Sequence, residues 1–163
     1  MRTRTLDGEM WLPLDIQAVF AFFSNAENLE ALTPPWVRFD ILTPKPIVLA
    51  KGALIDYQLR IHHVPIRWRT EITVWNPPIQ FVDEQLRGPY KLWVHRHDFE
   101  ERDGGTWVRD HVDYRAPGWI LEPIINRVLV ARDLRAIFTY RQQRIRELLA
   151  PGSAVTQDRI VLG

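Results

Sequence analysis

The chain has 163 residues, of which 46% are hydrophobic and 25% charged, and its formal net charge is +1. These values predict one globular domain and argue against a dedicated nucleic-acid-binding protein, which carries a clear basic excess. The absence of cysteine excludes disulfides, thiolate catalysis and cysteine-ligated zinc. Since no signal region and no apolar run of about 18 residues is present, we expect a cytoplasmic monomer or weak dimer with at most peripheral membrane contact.

The first part of the chain predicts one strand and two short helices. Residues 2–12 have an extended pattern, which Pro13 ends. Helical spacing of apolar residues follows over about 16–23, and a second short helix is predicted over about 26–32. The sequence TPPW (33–36) cannot continue a helix, because proline breaks the hydrogen-bond ladder and restricts the residue before it.

The rest of the chain predicts a sheet and one long helix. Between residues 37 and 115, alternating hydrophobicity interrupted by turn residues predicts about six antiparallel strands. A helical pattern over roughly 120–149 follows, and residues 150–163 are predicted to be a loose tail. The fold class is therefore α+β, with a curved antiparallel sheet of about seven strands around the C-terminal helix and one domain over 1–149. The space between sheet and helix is the expected place for a cavity.

The pair Asp103-Gly104 predicts the register of one hairpin, because a type I′ turn requires positive φ at both central residues. If this pair is the turn, partners across the two strands have numbers that sum to 207. His97 then faces Asp110. The inner face carries Trp93, His95, His97, Phe99, Val108, Asp110, Val112 and Tyr114. The outer face carries Arg96, Asp98, Arg109, His111 and Asp113, and an ion pair between Asp98 and Arg109 is expected there.

The two neighbouring strands are less well determined. A turn at His63-Val64 places Tyr57 and Trp68 on one face, while the pattern of the next strand leaves both faces open as the inner one. The long helix has five arginines that lie mostly off its apolar stripe: Arg132, Arg135, Arg141, Arg144 and Arg146. We expect them to form its solvated face, with docking to an anionic membrane as the alternative.

The segment FVDEQLRGPYKLWVHRHDFE (81–100), with DGGT (103–106) and DHVDY (110–114), resembles the polyketide cyclase/dehydrase and lipid-transport family. This family belongs to the START-like, helix-grip superfamily, and the segment is most similar to a bacterial ligand-binding branch related to the coenzyme-Q-binding proteins. The resemblance covers residues 1–149. It implies a helix-grip fold with an apolar tunnel for a hydrophobic small molecule, and it favours an inward orientation of Phe81, Asp83 and Gln85. It does not imply one reaction, because the fold has many functions.

Three interpretations of the histidine face remain. In the first, His95 and His97 line the wall of the cavity, and their ring nitrogens form hydrogen bonds with Asp110, Gln85 or water. In this position they orient the polar end of a ligand. In the second, His97 and Asp110 act as base and orienting carboxylate in a cofactor-free cyclase or dehydratase, with Asp83 as an additional carboxylate. In the third, His95, His97 and Asp110 bind a metal. The resemblance implies no metal, so we expect neither a metal nor a cofactor.

We predict that the protein binds a hydrophobic small molecule such as a lipid, an isoprenoid quinone or a polyketide-like aromatic, alone or beside a partner enzyme. An interaction module with a filled core is a further alternative. Small-molecule binding requires an internal cavity above roughly 300 Å³. The predicted ligand-binding residues are Tyr57, Trp68, Phe81, Asp83, Gln85, Trp93, His95, His97, Phe99, Asp110, Tyr114 and Val128. Further apolar wall candidates are Phe20, Phe23, Trp36, Ile124 and Phe138.

Overall fold

The computed structural model describes residues 2–116, 129–153 and 158–163. Within these ranges, eight strands form one antiparallel sheet in the order β2-β3-β4-β5-β6-β7-β1-β8. The strands are β1 (Arg4–Leu12), β2 (Asp40–Ile41), β3 (Leu54–Ile61), β4 (Val64–Asn76), β5 (Gln80–Arg87), β6 (Leu92–Arg102), β7 (Gly105–Arg115) and β8 (Arg159–Leu162). The helices are α1 (Ile16–Phe23), α2 (Leu29–Leu32) and α3 (Ala131–Leu149). The predicted α+β architecture is confirmed, with eight strands instead of about seven.

The hairpin of β6 and β7 has the predicted register. Asp103 and Gly104 form the turn with φ values of 58° and 73°, and His97 lies opposite Asp110. The predicted ion pair between Asp98 and Arg109 is wrong. Asp98 instead accepts hydrogen bonds from Arg96 at 2.8 Å and from Gln80, its direct partner on β5, at 2.7 Å. Arg109 is the direct partner of Asp98 on β7, but its guanidinium pairs with Glu100 at 2.9 Å.

The hairpin of β3 and β4 turns one residue earlier than predicted. His62 and His63 occupy the turn with φ values of 49° and 67°, and Ile61 pairs with Val64. The pairing therefore differs by two residues from the prediction, which leaves each side chain on its predicted face because side chains alternate with period two. Tyr57 and Trp68 are direct partners.

The prediction of a loose tail is wrong for residues 159–162. These residues form β8, which pairs with the edge of β1 from Leu6 opposite Leu162 to Glu9 opposite Arg159. The predicted helix over 120–149 is observed as α3 from Ala131 onward, and residues 117–128 lie outside the described part of the chain.

Helix α3 covers one face of the sheet and determines where the core lies. Its residues Leu134, Phe138 and Ile145 are buried against the strands. Helix α1 closes the structure near the β6–β7 hairpin, and the side chain of Asp15 caps its first turn by accepting from the Ala18 amide at 3.0 Å. Among the described residues, no helix has both the length and the apolar character needed to cross a membrane.

Candidate ligand-binding site

A cavity of about 180 Å³ lies between α3 and the middle of the sheet. Strands β3 to β6 supply one wall, α3 supplies the opposite one, and residues between Phe23 and Leu49 complete the lining. Most of the lining is aromatic or aliphatic, and the polar groups gather around Asp83, His95, His97 and Arg141. The predicted ligand-binding residues that line the cavity are Tyr57, Trp68, Phe81, Asp83, Trp93, His95 and His97. Phe23 and Phe138, two further wall candidates, line it as well.

The cavity does not reach the predicted requirement of roughly 300 Å³ for small-molecule binding, because large aromatic side chains occupy much of the space under α3. A ligand here must be smaller than that requirement assumed. The rings of Trp68 and Trp93 meet edge to face at 5.3 Å, and Tyr90 packs against Trp93 at 4.8 Å. The remaining volume counts against a long lipid or an isoprenoid quinone. It exceeds the roughly 150 Å³ of an engineered apolar cavity that binds benzene, so there is room for one or two aromatic rings.

Two histidines and two carboxylates form a buried network at the cavity. His95 and His97 are two residues apart on β6, so their side chains lie on the same face of the sheet, and their ring centroids are 3.8 Å apart. Asp83 on β5 and Asp110 on β7 flank them. His97 Nε2 lies 2.9 Å from Asp83 Oδ2, and His95 Nε2 lies 3.0 Å from Asp110 Oδ1. Asp83 is the direct strand partner of His95 but bonds His97, and Asp110 is the direct partner of His97 but bonds His95. Both hydrogen bonds are therefore diagonal across the strands.

Asp110 also lies close to His97, with 2.8 Å between Oδ1 and Nδ1. The carboxylate oxygen lies off the N–H direction, so Nδ1 has no hydrogen-bond partner within the described residues and the contact is electrostatic. The predicted pairing of His97 with Asp110 is thus present as a charge contact. The hydrogen bond of His97 goes to Asp83.

Burial and charge divide the network into charged and neutral groups. Burial alone would lower the pKa of His97, but its contacts with Asp110 and Asp83 outweigh burial and raise that pKa. At His95, burial and the neighbouring His97 charge prevail and lower the pKa. Burial opposes ionisation of both carboxyls, yet the histidine hydrogen bonds and the Arg141 charge hold the pKa of Asp83 below its usual value and that of Asp110 well below it. When His97 is protonated, its charge and that of Arg141 balance the charges of the two carboxylates.

Arg141 is the functional candidate that sequence reasoning missed. The prediction placed it on the solvated face of α3, but its side chain is 11% exposed and lines the cavity. Its Nε lies 3.9 Å from Asp110 Oδ2, and its guanidinium lies 5.5 Å from the centre of the Phe23 ring. A signal existed in the sequence, because Leu134, Phe138, Arg141 and Ile145 follow one another at helical spacings of four, three and four.

Several predicted site residues lie elsewhere. Gln85 fixes the loop before β6, since its Nε2 donates to the Tyr90 carbonyl at 2.8 Å and its Oε1 accepts from the Tyr90 amide at 3.3 Å. Phe99 and Tyr114 are buried in the core, and neither they nor Asp110 line the cavity. Trp36 is 61% exposed on the surface. Val128 and Ile124 lie outside the described residues.

The same network offers one set of metal-ligating atoms. Asp83, His95 and His97 each present one such atom, and all three lie within 4.8 Å of one another. This set contains Asp83 where the sequence suggested Asp110. The hydrogen bond between His97 Nε2 and Asp83 Oδ2 satisfies two of these atoms mutually.

Residues 12–136 match the model of the family described as polyketide cyclase / dehydrase and lipid transport. The chain belongs to this family. The family indicates a START-like domain that binds a hydrophobic ligand or acts as a polyketide cyclase. The predicted relation to the coenzyme-Q-binding branch stays a prediction. No curated protein matches the chain in sequence.

Solved structures with low sequence identity share the fold. Protein Ms6760 from Mycobacterium smegmatis is 16% identical over 91% of this chain and 92% of its own, with a TM-score of 0.65. Major latex-like protein 151 from Panax ginseng is 13% identical over 91% and 99%, with a TM-score of 0.66. The Zhui aromatase/cyclase from Streptomyces sp. R1128 is 11% identical over 94% and 100%, with a TM-score of 0.65. These similarities support the helix-grip architecture.

Proposed function

We propose that the protein binds a small, flat hydrophobic molecule in the cavity and holds its polar end at the network of Asp83, His97 and Arg141. One observation supports this most directly. The cavity is enclosed by aromatic and aliphatic side chains over most of its wall and has polar groups at one end, as ligand sites with a fixed orientation do. The histidines and carboxylates then act as a rigid polar wall, because their hydrogen bonds hold their rotamers.

We infer that a ligand enters this cavity beside the turn of the β3–β4 hairpin. Val37, Ile61 and Ile137 line both the cavity and a surface groove of about 560 Å³. At this groove His62 Nε2 lies 2.7 Å from Asp133 Oδ2, which ties the hairpin turn to the start of α3. Movement of this exposed hairpin turn away from α3 would open the cavity without disturbing the buried network. Delivery of the ligand to a partner enzyme fits such a site.

A cofactor-free cyclase or dehydratase is the second candidate. It is favoured by a buried histidine, His97, whose pKa two neighbouring carboxylates raise, since perturbed pKa values of this kind are frequent at catalytic sites. Both ring nitrogens of His97 face carboxylates, and Asp83 is the carboxylate that lines the cavity. Proton transfer to a substrate would therefore pass through Asp83 and not directly from the pair of His97 and Asp110.

Native mass spectrometry of protein purified from its host tests the proposal. We expect a bound small molecule that is lost when Leu59, a buried cavity residue, is replaced by tryptophan to fill the space. Val64→Trp is the matched control, since Val64 lies on the same hairpin and is 59% exposed. Circular dichroism checks that both variants fold, because overpacking costs about 1–3 kcal/mol.

Equal ligand content in Leu59→Trp and wild type would refute binding in this cavity, as would the absence of any bound molecule. The same experiment separates the two candidate functions. A binding protein returns the released compound unchanged after incubation with fresh protein. A dehydratase lowers its mass by one water, and a cyclase that loses no water gives an isomer of equal mass with a different chromatographic retention time.

A further inference from the structure

Arg141 lies in the cavity wall, and no hydrogen bond from its guanidinium is found within the described residues. A guanidinium has five N–H donors in a fixed fork. The nearest carboxylate oxygen, Asp110 Oδ2, is 3.9 Å from Nε, which is too far for a hydrogen bond. The buried Nε has no hydrogen-bond partner among the described residues. Buried donors are nearly always paired, so this guanidinium suits an acceptor that the described residues do not supply.

A second donor without a partner among the described residues lies on the opposite wall of the cavity, on β4. The indole Nε1 of Trp68, a residue with 7% exposure, is buried without a hydrogen-bond partner in the described part of the chain. An indole N–H only donates. By contrast, the carboxylates of Asp83 and Asp110 already accept hydrogen bonds from the histidines. The cavity thus has free donors while its strongest acceptors are engaged, so it suits a ligand that brings acceptor atoms.

The chemistry of Arg141 narrows this acceptor to a carboxylate. The guanidinium fork matches a carboxylate with two parallel hydrogen bonds, and such charge-assisted bonds are about twice as strong as neutral ones. A phosphate would suit the fork as well, but its third and fourth oxygens would meet a wall that is mainly apolar. The pairing of an ion with the guanidinium also offsets the cost of burying both charges.

The size and shape of the cavity determine the rest of the ligand. About 180 Å³ bounded by aromatic residues accommodates one or two fused rings, which gain from edge and face contacts with the aromatic wall. We propose that the ligand is an aromatic carboxylate of one or two rings, with its carboxylate on Arg141 and its ring against Trp68 and Phe138. This inference rests on the proposed function and names the class of molecule that the cavity selects.

Isothermal titration calorimetry with a matched series of probes tests the inference. Three probes share a naphthalene ring and differ in the charge of their polar group: 2-naphthoate, 2-naphthalenemethanol and 2-naphthylmethylamine. The fourth probe, decanoate, has the carboxylate of 2-naphthoate on an alkyl chain. We expect 2-naphthoate to bind at least about tenfold more tightly than the neutral alcohol, and the ammonium compound to bind least. Decanoate distinguishes a fatty-acid carboxylate from an aromatic one and is expected to bind more weakly than 2-naphthoate.

Variants of α3 attribute this preference to one side chain. Arg141→Met is expected to reduce the affinity for 2-naphthoate to that for the alcohol. Arg144→Met, on the same helix but paired with Glu147 at 2.6 Å, is expected to retain the preference. Should Arg141→Met not fold, Arg141→Lys keeps the charge without the planar fork and is expected to lose part of the preference.

The outcomes separate this inference from the proposed function. Equal binding of the three naphthalene probes would leave the cavity as an aromatic binding site and overturn the role of Arg141. Tighter binding of decanoate would overturn the aromatic part of the inference. If no probe bound, both the inference and the proposed function would fail.

Discussion

Replacement of Asp110 by asparagine is expected to lower the free energy of unfolding by about 3–5 kcal/mol, because it removes the anion from a buried charge network. Asp110 is 5% exposed, accepts a hydrogen bond from His95, and lies within 4 Å of His97 and Arg141. The asparagine side chain has the same shape but no charge, so the imidazolium and the guanidinium lose a counterion in a water-excluded environment. Urea denaturation at pH 7 measures the change.

Asp113→Asn is the matched control for this prediction. Asp113 lies on the same strand and the opposite face, with a side chain that is 41% exposed, and its replacement is expected to change stability by less than about 0.5 kcal/mol. A cost below about 1 kcal/mol for Asp110→Asn would contradict the account of a buried, charged network.

The pH dependence of the Asp110 contribution has a definite sign. Because the pKa of this carboxyl in the folded protein is well below its usual value, its stabilisation is fully present above the unfolded-state pKa of about 3.9. It is lost as pH falls through the lower folded-state pKa. Asp110 also raises the pKa of His97, which adds stability that is fully present only below the unfolded-state histidine pKa of about 6.5. The difference between wild type and Asp110→Asn should therefore grow as pH falls from 7 towards about 5 and disappear only in strong acid.

Replacement of Asp158 by alanine is expected to destabilise the protein by about 3 kcal/mol or more and to release β8 from the sheet. Its carboxylate binds the guanidinium of Arg146, a helix residue with only 6% exposure. The Arg146 side chain also donates to the carbonyl of Trp11 and the hydroxyl of Ser153, both at 3.2 Å. Without Asp158 these two neutral acceptors remain, and they cannot balance a buried charge.

Hydrogen exchange together with urea denaturation measures both parts of this effect. In Asp158→Ala the β8 amides are expected to lose their protection from exchange. The protection of the β6 and β7 amides is expected to fall only by the amount that matches the decrease in the global free energy of unfolding. Arg159→Ala is the control, since this neighbouring side chain is 67% exposed. Unchanged protection of β8 in Asp158→Ala would show that strand pairing alone holds the C-terminus.

Local patterns in the sequence were sufficient for the central hairpin and for the order of elements. The Asp103-Gly104 turn allows essentially one register, and that register determines the inner face of β6 and β7. The sequence could not predict which histidine each carboxylate bonds. The strand register determines only which residues lie directly opposite each other, whereas the side-chain rotamers determine diagonal contacts such as that between His97 and Asp83.

The errors concern residues whose environment comes from distant parts of the chain. Arg146 is buried because its guanidinium donates to the Asp158 carboxylate and to the Trp11 carbonyl. Both partners lie outside α3, so the residue pattern of the helix does not predict them. Strand β8 has only four residues and forms by pairing with the edge of β1. The strand propensity of these four residues alone does not predict this pairing. Cavity volume is likewise a property of packing between elements, so the number of aromatic residues in the sequence could not determine it.

The tryptophan indole resonances in a ¹⁵N–¹H NMR spectrum test binding inside the cavity most directly. Trp68 and Trp93 line the cavity, whereas the indoles of Trp11 and Trp107 bond to the turn of the β6–β7 hairpin. On titration with 2-naphthoate, we expect the Trp68 indole N–H to move most, together with Trp93, while Trp11 and Trp107 stay in place. Shifts confined to the exposed Trp36, with Trp68 unchanged, would contradict a ligand site between the sheet and α3.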